Sequence, residues 1–237
     1  MAELLKSEFF AILKQACARG VVQKCWLTGV LPAFRDGVSH LNTTEIISMS
    51  YDFNGLCGLT EDEVRTIAET YLGTSQLDVQ LQEIKRWFNG YRFCHLGLKA
   101  PTLYNPHQVF THLAFFHSNG RRLVVNEEFN ATHSSSVLDA VRQANPSPDF
   151  FLDALQNRLS DLVVQDFGPG DLARLRDYHP SQLGTLVMER LARALLYYFG
   201  VFTFDPQTPI LRIPNATMTR FVSLRKFMCY VSQFVSP

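Results

Sequence analysis

Signals that start and stop helices divide this 237-residue chain into short segments. Thr60 is followed three residues later by Glu63, a spacing typical of a capping box, and it predicts a helix from Glu61 to Leu72. Nearer the start of the chain, apolar residues recur at spacings of three and four until Gly20, which predicts an amphipathic helix ending at a left-handed cap. These signals favour a mostly helical fold.

Further signals follow the capping box. A helix is predicted from Leu77 to Phe88, because the turn dipeptide Asn89-Gly90 comes next. Asn105-Pro106 combines an N-cap residue with proline at the first helical position, which predicts a helix to about Phe116. Later helices are predicted at Val137 to Ala144, Pro148 to Leu159 and Ser181 to Phe199, the last ending at Gly200.

Strand patterns are fewer than helix patterns. The apolar run from Val21 to Val30 and the run from Glu45 to Ser50 predict two buried strands, either parallel with a crossover between them or paired as a hairpin. Tyr91 to Phe93 and Thr102 to Tyr104 predict a short strand pair. Alternating residues on both sides of Asp205-Pro206 predict a hairpin, and a helix followed by a hairpin is the closing half of a winged helix.

Composition excludes several classes of protein. Lys plus Arg and Asp plus Glu both number 22, so no net charge attracts a polyanion. No apolar run reaches the roughly 20 residues of a membrane helix, and charges occupy the first residues, so an intracellular protein, cytoplasmic or nuclear, is expected. The five cysteines have no CxxC spacing and are expected to be reduced and mostly buried.

Complete catalytic motifs are missing from the sequence. No G-x-x-x-x-G-K-[S/T] phosphate loop is present, and the acidic end of Leu123 to Glu128 has no such loop near it. Asp78 with Glu83 and Lys85 matches the letters of a nuclease site, but on a helix Glu83 and Lys85 would point about 200° apart. His133 beside three serines lacks a nucleophile elbow and favours a helix cap.

Two groups of residues are candidates for ligand binding. Cys94, His95, His107 and His112 invite a zinc hypothesis, but their spacing does not fit a zinc finger, and no metal site is predicted. Thr28 and Arg35 sit at the end of the first predicted strand, where α/β folds present groups that face ligands. They are candidates for contacting a ligand.

Several longer strings together resemble the AAA-ATPase-like domain family. They are KCWLTGVLPAFRDGVSHL, GLCGLTEDEV, IKRWFNGYRF, TLYNPHQVF and YYFGVFTFDPQTPILRIPN, in the family's order and covering about residues 9–215. The resemblance implies relatives of P-loop NTPases, with an ATPase core, a helical lid and a winged-helix-like segment. Many members carry a PD-(D/E)xK nuclease-like domain after it.

The resemblance implies roles for individual residues. Lys24 to Val30 would be a core strand ending in a sensor threonine, Thr28, with Arg35 as a phosphate-sensing arginine and Glu45 to Ser50 as the last core strand. The other matching residues would be structural: Thr60, Glu63, Trp87, Asn89, Gly90, Tyr91, Phe93, Tyr104, Asn105, Pro106, Pro214 and Asn215.

The predicted fold class is mostly α with minor β (α+β). It comprises a remnant of a parallel P-loop NTPase core sheet (residues 1–56), a helical lid with a small hairpin (57–135), a winged-helix-like segment (136–215) and a divergent basic tail (216–237). Walker A and Walker B are absent, so the expected function is that of the C-terminal half of an AAA-ATPase-like domain, truncated and inactive alone.

The expected cofactors and partners follow from that reading. The chain alone would take no cofactor, and ATP and Mg²⁺ would bind only if a P-loop half were supplied. The expected partner is a missing N-terminal P-loop half or another protein. Truncation would also leave an open sheet edge and an apolar face uncovered. The alternative is a module that binds protein or nucleic acid through the hairpin and the basic residues Arg212, Arg220, Arg225 and Lys226.

Overall fold

The architecture comes from a computed structural model. It describes residues 9–29, 47–72, 77–94, 100–119, 148–156, 158–160, 185–205, 207–208 and 210–223. The predicted helix at Val137 to Ala144 and the serines beside His133 lie outside these ranges, as does the acidic sequence at Leu123 to Glu128.

The first helix, α1, spans Phe10–Ala18. It ends as predicted at Gly20, whose φ of 72° is left-handed. The N–H of Gly20 donates to the carbonyl of Cys17, and the N–H of Val21 donates to that of Ala16, both at 3.0 Å. This pair of bonds is a Schellman motif, which satisfies carbonyls that a helix end otherwise leaves open.

The two predicted core strands do not form in the described residues. Residues 21–29 contain no helix or strand, and nearly all of their side chains are exposed, including Val21 at 77%. Residues 47–50 form a turn that leads into a 3-10 helix at Tyr51–Phe53. A β-branched run predicts a strand only if a partner strand accepts its hydrogen bonds, and none of the described strands pairs with either run.

Three helices form the helical lobe: α2 at Glu61–Leu72, α3 at Leu77–Phe88 and α4 at Pro106–Asn119. The first two match their predicted bounds, and α4 continues past Phe116. Their buried side chains make one apolar cluster: Val64, Ala68, Leu77, Leu81, Ile84, Phe88, Tyr104, Val109 and Leu113.

The caps of α2 and α4 are the predicted ones. Thr60 N–H donates to Glu63 Oε2 at 2.8 Å, and Glu63 N–H donates to Thr60 Oγ1 at 3.3 Å, which completes the capping box. Asn105 Oδ1 accepts from the N–H of Gln108 at 3.2 Å, with Pro106 as the first helical residue. Local sequence therefore determines where α2 and α4 begin.

The predicted strand pair between α3 and α4 is reduced to single bridges. Tyr91 and Leu103 exchange two backbone hydrogen bonds, and Leu59 forms a second bridge with Tyr104. The chain passes so close to Leu103 that a Cβ placed on Gly58 would lie 2.6 Å from the Leu103 Cβ.

The C-terminal lobe consists of α5 (Pro148–Leu155), β1 (Leu159–Ser160), α6 (Thr185–Tyr198), β2 (Thr203–Phe204) and β3 (Ile210–Arg212). The predicted helix from Pro148 is thus shorter, and Leu159 lies in a strand. The predicted hairpin is confirmed as the antiparallel pair of β2 and β3, and β1 joins the other edge of β3, which gives the order β1-β3-β2.

Residues 216–223 form a further helix, α7. Met218 and Val222 are buried in the core of the C-terminal lobe beside Phe150, Leu195 and Leu211. The predicted divergent tail therefore begins inside this core, because its first residues continue the apolar periodicity of a helix.

Within the described residues, no helix has the length and apolarity needed to cross a membrane.

Candidate functional site

The residues predicted to be structural motifs meet where the helical lobe contacts the C-terminal lobe. The C-terminal end of α3 lies at the centre. Thr217 on α7 donates its hydroxyl to the carbonyl of Trp87 at 2.6 Å, and the N–H of Asn105 donates to the carbonyl of Phe88 at 3.2 Å. Two carbonyls at the end of α3 are thus satisfied by residues outside the helix, as helix ends require.

Gly90 lies close to the backbone of the C-terminal lobe. Its φ is 113°, and an added Cβ would overlap the carbonyl group of Pro214, whose carbon lies 2.8 Å from that position. Glycine is the residue that accepts this backbone conformation without steric cost. The turn dipeptide Asn89-Gly90 therefore also serves a contact between distant parts of the chain.

Thr203 on β2 binds the backbone of Arg92 through its side chain. The N–H of Arg92 donates to Thr203 Oγ1 at 2.7 Å, and Thr203 Oγ1 donates to the carbonyl of Arg92 at 3.0 Å. Both residues are buried. A single hydroxyl therefore satisfies both backbone groups of a residue that belongs to no described strand.

Asn54 has a comparable role on the other side of the same segment. Its Oδ1 accepts from the N–H of Phe93 at 2.9 Å, and its Nδ2 donates to the carbonyl of Pro101 at 3.1 Å.

We call the residues that join the two lobes the interlobe clamp: Trp87, Gly90, Arg92, Thr203, Pro214 and Thr217.

Tyr91 extends from this segment into the C-terminal core and stacks on Phe93 with ring centroids 6.2 Å apart. Burial raises the pKa of Tyr91, and the amides of Asn215 and Asn105 oppose part of that shift. Neither the Tyr91 hydroxyl nor Asn215 Nδ2 reaches hydrogen-bonding geometry with a protein partner.

Asn215 also caps α7. Its Oδ1 accepts from the N–H of Met218 at 3.1 Å, and its carbonyl accepts from the N–H of Thr219 at 2.9 Å. The clamp therefore includes the last turn of α3 and the first turn of α7.

Glu61 links the first turn of α2 to the motif residues. It accepts from the Tyr104 hydroxyl at 2.7 Å, and Lys85 Nζ lies 3.0 Å from the same carboxylate. Burial raises the pKa of Glu61, but the bonds from Tyr104 and Lys85 outweigh it and leave the pKa lowered. Burial, with the nearby carboxylate, raises the pKa of Tyr104. This group holds α2, α3 and the segment before α4 together.

The nucleotide-sensing candidates are not brought together in the described residues. Thr28 is exposed on a segment without regular structure, and Arg35 lies outside the described ranges. The same part of the chain exposes large apolar side chains, and a ring contact of 5.9 Å between Trp26 and Phe53 connects its two stretches. We call these the N-terminal apolar residues: Phe9, Ile12, Val21, Trp26, Leu27, Tyr51, Phe53 and Leu56.

Of the four basic residues proposed to bind nucleic acid, two lie within the described residues, Arg212 on the hairpin and Arg220 on α7. Arg212 Nε lies 3.9 Å from the carboxylate of Asp205, which also accepts from the backbone N–H groups of Gln207 and Thr208. Arg220 is exposed on α7, whereas Arg225 and Lys226 lie outside the described residues. The hairpin arginine is therefore partly neutralised by its own turn.

Metal-binding candidates have different surroundings from one another. Among the described residues, no three His, Cys, Asp or Glu side chains group closely enough to hold a metal ion. His112 is buried against the ring of Phe88, and this burial lowers its pKa. The free thiols of Cys17, Cys25 and Cys57 are exposed and that of Cys94 is buried, so the prediction of mostly buried cysteines is wrong for the described ones.

Sequence reasoning missed Asn54, Thr203 and Thr217, although each completes the backbone hydrogen bonds of the segment that it did identify. Thr203 and Thr217 bind residues 111 and 130 positions away, so no local spacing indicates them. Comparison with known proteins adds no further assignment to this geometry. No protein-family model, no curated protein and no solved structure matches the chain.

Proposed function

We propose that this chain is a binding module, the lid and winged-helix part of an AAA-ATPase-like domain, that contributes to nucleotide chemistry only together with a segment carrying a phosphate loop. The observation that carries the proposal is the C-terminal sheet. Among the described residues, a helix, a strand, a second helix and a hairpin follow one another. The strand order is β1-β3-β2, in which the first strand pairs with the last, as in a winged helix. The three-helix lobe precedes it, as a lid would.

The N-terminal apolar residues support the need for a partner. Trp26 is 56% exposed and Val21 77% exposed, and an exposed group of apolar side chains marks a surface that another segment covers. The proposed occupant is the segment that carries the phosphate loop. Exposed free thiols at Cys17, Cys25 and Cys57 fit a reducing, intracellular compartment.

Nucleotide binding by the purified chain is the first test. We expect Mg-ATP to leave the unfolding temperature unchanged. A ligand at 100 times its Kd stabilises by about 2.7 kcal/mol, which is a shift of roughly 5 to 11 °C for a chain of this size. A shift of that size, abolished by Arg35→Ala, would place a phosphate site on this chain and refute the proposal.

Partner binding is the second test, with Trp26 as the reporter. The chain has two tryptophans, so Trp87→Phe leaves Trp26 alone. Adding a separately expressed phosphate-loop half of an AAA-ATPase-like protein should shift the Trp26 emission to shorter wavelength. The matched Trp26→Phe variant, which reports Trp87, should show no comparable shift. Unchanged Trp26 emission and no co-migration at high concentration would contradict the assignment of this surface.

Nucleic-acid binding is a second candidate function, favoured by the hairpin and by exposed Arg220 on the helix that follows it. The pairing of Arg212 with Asp205 reduces the charge available there. Binding to duplex DNA that weakens with salt, and that is lost when Arg212, Arg220, Arg225 and Lys226 are replaced, would favour this candidate. Binding that is absent or independent of salt would exclude it.

A further inference from the structure

The interlobe clamp joins the apolar core of the helical lobe to the apolar core of the C-terminal lobe. Its bonds are made by buried hydroxyls to backbone groups, at 2.6 to 3.0 Å. A hydrogen bond from a short side chain to the backbone leaves the two lobes less freedom of relative motion than a contact between two long side chains does. The geometry therefore differs from the polar, wet interface that usually allows domains to move independently.

Apolar packing crosses the junction in the same place. Tyr91 follows the end of α3 by three residues, yet its ring is buried in the C-terminal core with Phe202 and Leu211. Phe93 packs against that core as well. The chain that leaves the helical lobe is thus part of the other lobe's core, and moving one lobe away from the other would expose these rings.

We infer that the interlobe clamp makes the helical lobe and the C-terminal lobe one mechanical unit. A ligand or partner that moves the helical lobe therefore moves the C-terminal sheet with it. Calling that motion a lid motion rests on the proposed function, whereas the coupling itself does not. The specific coupling residues are Thr203 and Thr217, since each ties a residue of the C-terminal lobe to the segment that follows α3 or to α3 itself.

Hydrogen exchange of α6 amides measures the coupling in the full chain. Leu113 is fully buried in the helical lobe, so Leu113→Ala leaves a cavity there without touching the C-terminal lobe. In the otherwise unchanged chain, this substitution should accelerate exchange at Leu191 and Leu195 by more than about tenfold, because the lobes open together. In the Thr203→Val/Thr217→Val background, it should change their exchange by less than about twofold.

A matched control separates the clamp from the mere loss of threonine hydroxyls. Thr66 and Thr70 donate to the carbonyls of Asp62 and Thr66 within α2, so Thr66→Val/Thr70→Val removes similar bonds that do not join the lobes. Transmission from Leu113→Ala to α6 should persist in that background. If Leu113→Ala prevents folding, Val64→Ala gives a smaller cavity in the same core.

Two results would overturn the inference. One is α6 exchange that does not respond to Leu113→Ala in the otherwise unchanged chain, which would mean that the lobes open independently. The other is full transmission in the clamp variant, which would assign the coupling to other contacts. No nucleotide or partner enters this experiment, so its outcome is separate from the outcomes of the ATP and Trp26 tests.

Discussion

Replacing Gly90 by alanine tests the close approach of this residue to Pro214. The substitution imposes a φ of 113° on a residue with a side chain, and it places a Cβ inside the carbonyl group of Pro214. The backbone conformation costs about 1 to 2 kcal/mol, and the overlap with a fixed backbone group adds about 1 to 3 kcal/mol. We expect Gly90→Ala to lower the free energy of unfolding by about 2 to 5 kcal/mol.

Two glycines serve as matched controls in urea unfolding. Gly200 has a φ of 72°, but its added Cβ would meet Tyr91 Cε1 at an ordinary 3.5 Å, so Gly200→Ala should cost the backbone part alone. Gly55 has no positive φ and nothing within 4 Å, so Gly55→Ala should change stability by less than about 0.5 kcal/mol. Equal losses for Gly90→Ala and Gly200→Ala would refute the contact with Pro214.

Three further substitutions probe individual bonds. Thr217→Val should lower the free energy of unfolding in urea by about 1 to 3 kcal/mol, because it removes the hydroxyl that donates to the Trp87 carbonyl. Thr219→Val, at an exposed position, should cost less than about 0.5 kcal/mol. Equal losses would contradict the bond between Thr217 and Trp87. Hydrogen bonds from Thr60 lower the pKa of Glu63 in the folded chain below its ordinary 4.5. The stability that the ionised Glu63 contributes is therefore complete above pH 4.5 and is lost as the pH falls through its pKa in the folded chain. Glu63→Gln should flatten that part of a profile of unfolding temperature against pH, and an unchanged profile would exclude the bond. Asn54→Ala should speed hydrogen exchange at the Phe93 amide, which loses its acceptor, and an unchanged rate would exclude that pairing.

The helical lobe was predictable because its determinants are local. Thr60 and Glu63 bind each other across three residues, and Asn105 caps a helix three residues ahead, so the spacing in the sequence is the bond itself. The C-terminal hairpin was predictable for the same reason. Alternating residues and a turn at Asp205 are close in the chain, and Asp205 Oδ1 accepts from both N–H groups that close the turn.

The two expected core strands failed because strand formation depends on a partner that the run itself does not specify. The residues from Val21 to Gly29 have the composition of a buried strand, but the described chain leaves them exposed. The motif residues were expected to be structural, but their contacts with the C-terminal lobe were not predicted. Gly90 was expected to form a turn. Its close approach to Pro214, 124 positions later in the sequence, is seen only in the structure.

The long separation within the clamp sets an order of events during synthesis. The helical lobe can close its core soon after Leu113 has left the ribosome, but Thr203 is made 111 residues after Arg92. At about 5 to 20 residues per second, that interval lasts roughly 5 to 20 seconds. During that interval the backbone groups of Arg92 lack their bonds to Thr203, and the C-terminal core that buries the ring of Tyr91 does not yet exist. A newly made helical lobe therefore presents an apolar aromatic side chain for seconds, during which a chaperone can bind it and truncated products can aggregate.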